Sequence, residues 1–300
     1  MFSEKSNIAF IGAGKIAFSL VSALLKAGYN VTSIISRNKN SAKKLAGKFK
    51  VPDYSNNLKF LTNETKIFFL TVPDSQIKKT AKEISKLDLD FKGSLFIHVS
   101  GALDISELKS LKKKKAHTGS FHIMQTFPST KIVDIKNCSV AIEAEKKVAK
   151  DFLNKLALDL KLKPFYLRSD KKIYYHLAGV LASNFLVGNL FSAEKMFRLT
   201  KPKKVDFFSV VNSTVNSTLD NIRNVGPAKA LSGPVERGDY ETIEKHLKAL
   251  KGKDKLLFLN YLIQSLYLLE VTGIKNGKLN KEHKKIHKIL VKEFNLLKKL

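Results

Sequence analysis

Two glycines near the start of this 300-residue chain carry its clearest chemistry. Gly12-Ala13-Gly14-Lys15-Ile16-Ala17 stands between an apolar run, Ile8 to Ile11, and a segment with helical spacing at Ile16, Leu20, Ala23 and Leu24. Glycine at 12 permits a tight turn, glycine at 14 lets a backbone approach a diphosphate, and small Ala17 allows close packing of helix on strand. Amides at the opening of the helix then hold the phosphates. A dinucleotide site is what this spacing implies, and a glycine turn in an empty α/β domain is the blander reading.

The end of the second strand selects the dinucleotide. An Asp or Glu there would bond the 2′-hydroxyl of NAD(H), but the chain reads Ser36-Arg37-Asn38. A guanidinium can clamp a 2′-phosphate in bidentate fashion, with Ser36 and Asn38 as further donors, so NADP(H) is expected in preference to NAD(H). The alternative is that Arg37 only stacks on the adenine. Ligands of open α/β sheets lie beyond the carboxyl ends of strands, which turns Val72-Pro73-Asp74 toward the cofactor and brings Ser100 and Gly101 near the nicotinamide end.

If a nicotinamide bound there delivers a hydride, the reaction needs a nearby proton donor, and histidine is poised for that role. His176 is the first candidate and His122, at the end of a short strand, the second. Ser183 and Asn184 follow His176 by seven and eight residues, close to one face of a helix. The competing reading makes His176 and Asn184 satisfied polar groups of a core helix. In the loop between helices, Arg237 can grip a substrate carboxylate or pair with Asp239.

Behind these residues lies a change of grammar at about Arg168. Before it, strand-like runs (8–11, 30–35, 66–72, 94–99, 117–121, 139–143 and 165–167) alternate with helical segments (15–26, 39–49, 75–87 and 146–160). That alternation predicts an α/β fold of Rossmann type, a mostly parallel sheet with helices on both faces. After it, the spacing predicts an all-α domain with helices near 171–199, 204–223, 240–250, 254–272 and 281–297, and a functional loop over 224–239. The expected domains are 1–168, binding the dinucleotide, and 169–300, all-helical.

Composition bounds the function classes. With 44% hydrophobic residues the chain can bury a sizeable core. The formal charge of +28 is nearly all lysine spread along the chain, with few arginines to read base edges. A basic surface that draws small anions is the reading, not specific nucleic-acid binding. Cys138 stands alone, so neither an internal disulfide nor a cysteine metal cluster is expected. The polar start lacks a signal peptide's apolar core, which fits a cytoplasmic protein. The apolar stretch 173–191 is interrupted by His176, Ser183, Asn184 and Asn189, and is read as a buried helix, not a membrane span.

Several stretches together resemble the Rossmann-like proteins that carry domain of unknown function 2520. They are Gly12-Ala13-Gly14, Val72-Pro73-Asp74, His98 to Leu103, Gly119-Ser120-Phe121-His122 with Gln125-Thr126-Phe127, Tyr175-His176, Ala182-Ser183-Asn184, and Ala230 to Asp239 with His246. Ile123 departs from the proline expected there. The layout is similar, more distantly, to pyrroline-5-carboxylate reductases, ketopantoate reductases and β-hydroxyacid dehydrogenases. The resemblance implies a reductase of a small carbonyl or imine, with substrate binding and dimerisation, as a homodimer, assigned to the helical domain 169–300. The dehydrogenases' helix lysine, four residues before an asparagine, is Val180 here, although Lys171 or Lys172, about one turn before His176, is a candidate to reach the site in its place. That absence leaves open a non-catalytic NADP(H) sensor.

Overall fold

Strands buried on both faces read as continuous apolar runs, and the runs of the first half do so. In the computed structural model, which describes residues 2–297, they form one eight-stranded sheet in the order β3-β2-β1-β4-β5-β6-β7-β8. The strands are β1 (Asn7–Ile11), β2 (Val31–Ile35), β3 (Asp53–Ser55), β4 (Thr65–Leu70), β5 (Leu95–His98), β6 (His117–Ile123), β7 (Ser139–Ala144) and β8 (Lys163–Tyr166). All neighbours are parallel except β6 and β7. The Rossmann-type architecture read from the sequence is the one observed.

Alternate residues of each strand enter two cores. Ile8, Phe10, Ile67 and Phe69 face α1 (Lys15–Lys26), α2 (Lys39–Phe49) and α5 (Lys147–Asp159), with Phe10 stacked on Phe69 at 5.1 Å. Ala9, Ile11, Phe68 and Phe96 face α3 (Asp74–Ile84) and α4 (Lys109–Lys113), with Phe68 stacked on Phe96 at 4.4 Å. Truncating one of these fully buried rings to alanine costs about 3–5 kcal/mol.

By backbone contacts the chain divides at Phe185/Leu186. The sheet unit therefore includes α6 (Lys172–Gly179) and the single π-helical turn Val180–Asn184. The second unit holds α7 (Phe185–Arg198) beyond its first residue, α8 (Phe207–Ala230), α9 (Pro234–Arg237), α10 (Tyr240–Leu250), α11 (Lys255–Asn276) and α12 (Lys281–Leu297). Its core is built from Val235, Ile243, Leu247, Leu262, Ile286 and Leu290 with their neighbours.

Two expectations need correction. The loop over 224–239 is shorter: helical hydrogen bonding continues to Ala230, interrupted at Gly226 (φ 79°), and α9 occupies 234–237. Lys275 bonds the Leu231 carbonyl and Glu236, and His283 lies 2.9 Å from the Glu236 carbonyl, so this segment is tied down. The stretch 173–191 is not a buried helix. Ile173, Tyr174, Leu177, Leu181, Phe185, Val187 and Phe191 are 48–67% exposed. The reason is that α6 turns its polar residues Lys172 and Tyr175 inward, so the apolar periodicity marks its outer face. The stretches Ser169–Arg198 and Lys255–Asn276 are long and apolar enough to cross a membrane by length and composition.

Candidate functional site

The strand order reverses between β1 and β4, and ligands of open α/β sheets bind at such a switch point. The two strand ends are locked together there. Thr71 donates its amide to the Ile11 carbonyl at 2.8 Å and its hydroxyl to the Gly12 carbonyl at 2.7 Å, while Gly12 donates to the Ile35 carbonyl at 2.7 Å. Gly12 has φ +115°, and a Cβ on it would lie 2.6 Å from the Thr71 carbonyl. Only glycine fits. Gly14 precedes α1 with no side chain capping the helix; Ala17 donates back to the Gly14 carbonyl at 3.1 Å, and the amides of Lys15 and Ile16 are the ones directed at the loop opening.

These residues line a cleft with Arg37, Ser41, Val72 and Lys79. Ala13, Lys15 and Ile16 continue the loop into α1, with Lys15 exposed. Ser36 and Arg37 follow β2, Arg37 exposed along the cleft. Asn38 has a local task, since its side chain caps α2 by accepting from the amides of Asn40 and Ser41. Pro73 lies one residue before α3, whose first turn begins with Asp74.

Beyond β5 the chain turns tightly around Ser100. Its hydroxyl donates to Asp74 at 2.7 Å and accepts the amides of Ala102 and Leu103 at 3.2 and 3.0 Å. The buried Ser100 therefore holds the turn and Asp74 in place. Gly101 underlies the His122 ring, because a Cβ there would come within 2.6 Å of Nε2. His122 Nδ1 is 2.9 Å from the Tyr175 hydroxyl, the rings meeting edge to face. Burial, then the charges of Lys172 and His176, push the His122 pKa down to about 4. Burial raises the Tyr175 hydroxyl to about 12. In the tautomer where the Tyr175 hydroxyl donates to Nδ1, the single imidazole proton is on Nε2, on the side of Gly101.

A second polar group lies behind this pair. Lys172, 1% exposed, donates to Ser120 at 2.5 Å and pairs with Glu143 at 3.5 Å. The other Glu143 oxygen accepts Ser169 at 2.5 Å and the Ile105 amide at 3.3 Å. Burial above all lowers the Lys172 ammonium to about 8 against the raising effect of Glu143. The neighbouring His98 accepts the Ser100 amide at Nδ1, and its buried Nε2 has no hydrogen-bond partner among the described residues. Burial and then Lys172 push His98 down to about 3.

The structure thus brings His122 and Gly101 together with Tyr175, and sets Lys172 behind them, neither of the last two singled out by periodicity; His176 adjoins Tyr175 on α6 and acts on His122 through its charge alone. The apolar stripe of α6 drew attention away from its inward polar residues, and a lysine inside an apolar helix was the available signal. Lys171 instead faces Asp170 at the surface. Ser183 and Asn184 lie in the π turn, half-buried and exposed respectively. The α-helical alignment of His176 with Ser183 is therefore corrected, since a π turn changes the phase of the residues it contains. Arg237 is the exposed last residue of α9 in the second unit. Ile123 continues β6 and pairs with Val140 of β7, so no turn forms there.

Residues 138–266 match the family described as domain of unknown function DUF2520, and residues 7–101 match the family of NADP oxidoreductases, coenzyme F420-dependent. The resemblance read from the motifs is borne out by these matches, as is the expectation of an NADP-dependent oxidoreductase. Similar solved structures include a Bacteroides fragilis protein provisionally assigned as an NADP oxidoreductase, at 25% identity, TM-score 0.75, covering 88% of this chain and 98% of that one. A pyrroline-5-carboxylate reductase of Coxiella burnetii shares the fold at 18% identity and TM-score 0.55, covering 92% and 100%. So does a reductive aminase of Aspergillus terreus in complex with NADPH, at 10% identity and TM-score 0.58, covering 97% and 94%. No curated protein matches the chain in sequence.

Proposed function

We propose that this protein is an NADP(H)-dependent reductase of a small carbonyl or imine, with a carboxylate on the substrate. The single observation that carries the reading is the Gly12 cradle, where the backbone of Thr71 and Val72, just beyond the neighbouring strand β4, excludes even one side-chain carbon beside helix amides that no side chain caps. Arg37, Ser41 and Lys79 supply donors and positive charge for a 2′-phosphate in the same cleft. When bound there, NADPH supplies the hydride. His122 then offers Nε2–H to the oxygen or nitrogen on which charge develops, held by Tyr175 at its other nitrogen. His176, on the residue after Tyr175, is the alternative donor, with Ser183 and Asn184 assigned to the same substrate region, and Arg237 is the candidate for a carboxylate.

The test is NADPH oxidation across a panel of keto acids, aldehydes and cyclic imines, each at several concentrations. Turnover with a carboxylate-bearing member is the expected result. Tight NADPH binding with no turnover on any member would replace the reductase by a sensor.

The exposed apolar residues Ile173, Tyr174, Leu177, Leu181 and Phe185 of the sheet unit support a homodimer that covers them, because large apolar side chains clustered along one stretch are rarely all left in water. A monomer mass in solution excludes it. The lone, partly buried Cys138 suits a reducing compartment, and we place the protein in the cytoplasm.

A further inference from the structure

Helix α6 lies on β6 in register. Lys172, Tyr175 and Gly179 recur at i, i+3 and i+7, one face of a helix, and meet Ser120, His122 and Met124 at i, i+2 and i+4, one face of an extended chain. The first rung is the Lys172 hydrogen bond to Ser120, the second the contact of Tyr175 with His122, and the third a fit without bonding. A Cβ at Gly179 would lie 3.0 Å from the Met124 sulfur, so glycine lets the helix close onto the strand.

The first rung is the one that needs explaining. An ammonium removed from water is retained only when other charges and hydrogen bonds compensate it, and an apolar side chain of similar length would fill the space at lower cost. Here the charge is compensated from three elements, by Glu143 on β7, Asp104 after β5 and Asp74 on α3. In turn it acts on two histidines, His98 on β5 and His122 on β6, with His176 adding to its effect on His122.

We propose that Lys172 is the positioning residue of the His122 and Tyr175 pair: through Ser120 it pins α6 to β6 so that the two rings meet, and it sets a buried charge close enough to act on the His122 ring. Neutrality of that ring matters because only a singly protonated imidazole can accept the Tyr175 hydroxyl at Nδ1 and still present Nε2–H toward Gly101. The proposal rests on reading this pair as the proton donor of the reductase. The charge itself is measurable without any turnover.

The experiment is an NMR titration of the full chain labelled at histidine, with the His122 ring signals assigned by their loss in His122→Gln. In the wild type, His122 stays neutral well below the ordinary histidine range of about 6.5. A second displacement of its ring signals follows near pH 8 as the Lys172 ammonium loses its proton. Lys172→Arg, which keeps a charge that does not titrate there, retains the first behaviour and loses the second. Lys172→Met moves the His122 titration upward, toward the ordinary range. Should Lys172→Met fail to fold, the wild type and Lys172→Arg still decide the matter. No displacement near pH 8 in the wild type, its persistence in Lys172→Arg, or an unmoved titration in a folded Lys172→Met overturns the proposal. These titrations holding while every substrate fails would sink the reductase and leave the placement of Lys172 intact. Turnover without them would do the reverse.

Discussion

The Tyr175 hydroxyl lies 2.9 Å from Nδ1 of His122, one helical step after Lys172 meets Ser120 at 2.5 Å. Helix and strand therefore meet through polar contacts, with the other ring nitrogen of His122 set beside Gly101. If that nitrogen donates to the substrate, His122→Gln lowers kcat by about 10²–10⁴ and leaves NADPH affinity unchanged. Tyr175→Phe lowers it less, because the ring stays and only its orientation is freed. Steady-state kinetics with a binding titration check both. A larger loss in His176→Gln than in His122→Gln would move the donor to His176.

Gly101→Ala tests the same geometry from below. The added carbon would lie 2.6 Å from His122 Nε2, closer than real contacts allow, so the ring must shift. Turnover should fall at least about tenfold, given how steeply rate depends on sub-ångström placement. NADPH binding should hold. An alanine variant with unchanged kcat would show that the ring position is irrelevant.

Arg37→Ala should weaken NADP(H) by about 1.5–3 kcal/mol, the contribution of a hydrogen bond to a charged group, and NAD(H) much less. Calorimetry with both cofactors reads the difference directly. Equal losses would show that Arg37 stacks without reading the phosphate.

Stability should fall on mild acidification. His122 and His98 have folded pKa values of about 4 and about 3, below the ordinary 6.5, so the unfolded chain binds more protons as pH drops through that window. Their contribution is therefore complete above about pH 6.5 and lost toward the folded values, a loss on the order of a few kcal/mol in total. Lys172 acts with the same sign at higher pH, stability rising from about 8 toward the ordinary lysine value. Urea unfolding at neutral pH and at about pH 5 checks the acid side, and His122→Gln should flatten part of the slope. A level profile across that range would contradict the buried neutral histidines.

Much of the first half was legible because its signals are local. The glycine turn, the apolar runs and the helix α1 from Lys15 to Lys26 follow from nearest-neighbour spacing and appear where spacing puts them. The short edge strand β3 and the helix α4 carried no comparable periodicity and went unread. The contacts of Lys172 were hidden for a different reason. Its partners Ser120 and Glu143 are joined to it only by the folding of β6, β7 and α6, and the apolar face of that helix points outward against the usual rule. The π turn at Val180–Asn184 is equally a product of tertiary packing, and it undid the alignment of His176 with Ser183.

Calorimetric titration of NADPH into the folded protein, with Gly12→Val alongside, tests the central claim most directly. Saturable binding by the wild type, tighter than for NADH, and its loss in the variant are the predicted results, since valine cannot occupy φ +115° against the Thr71 carbonyl. No heat from any pyridine nucleotide, or equal affinity in Gly12→Val, would contradict it.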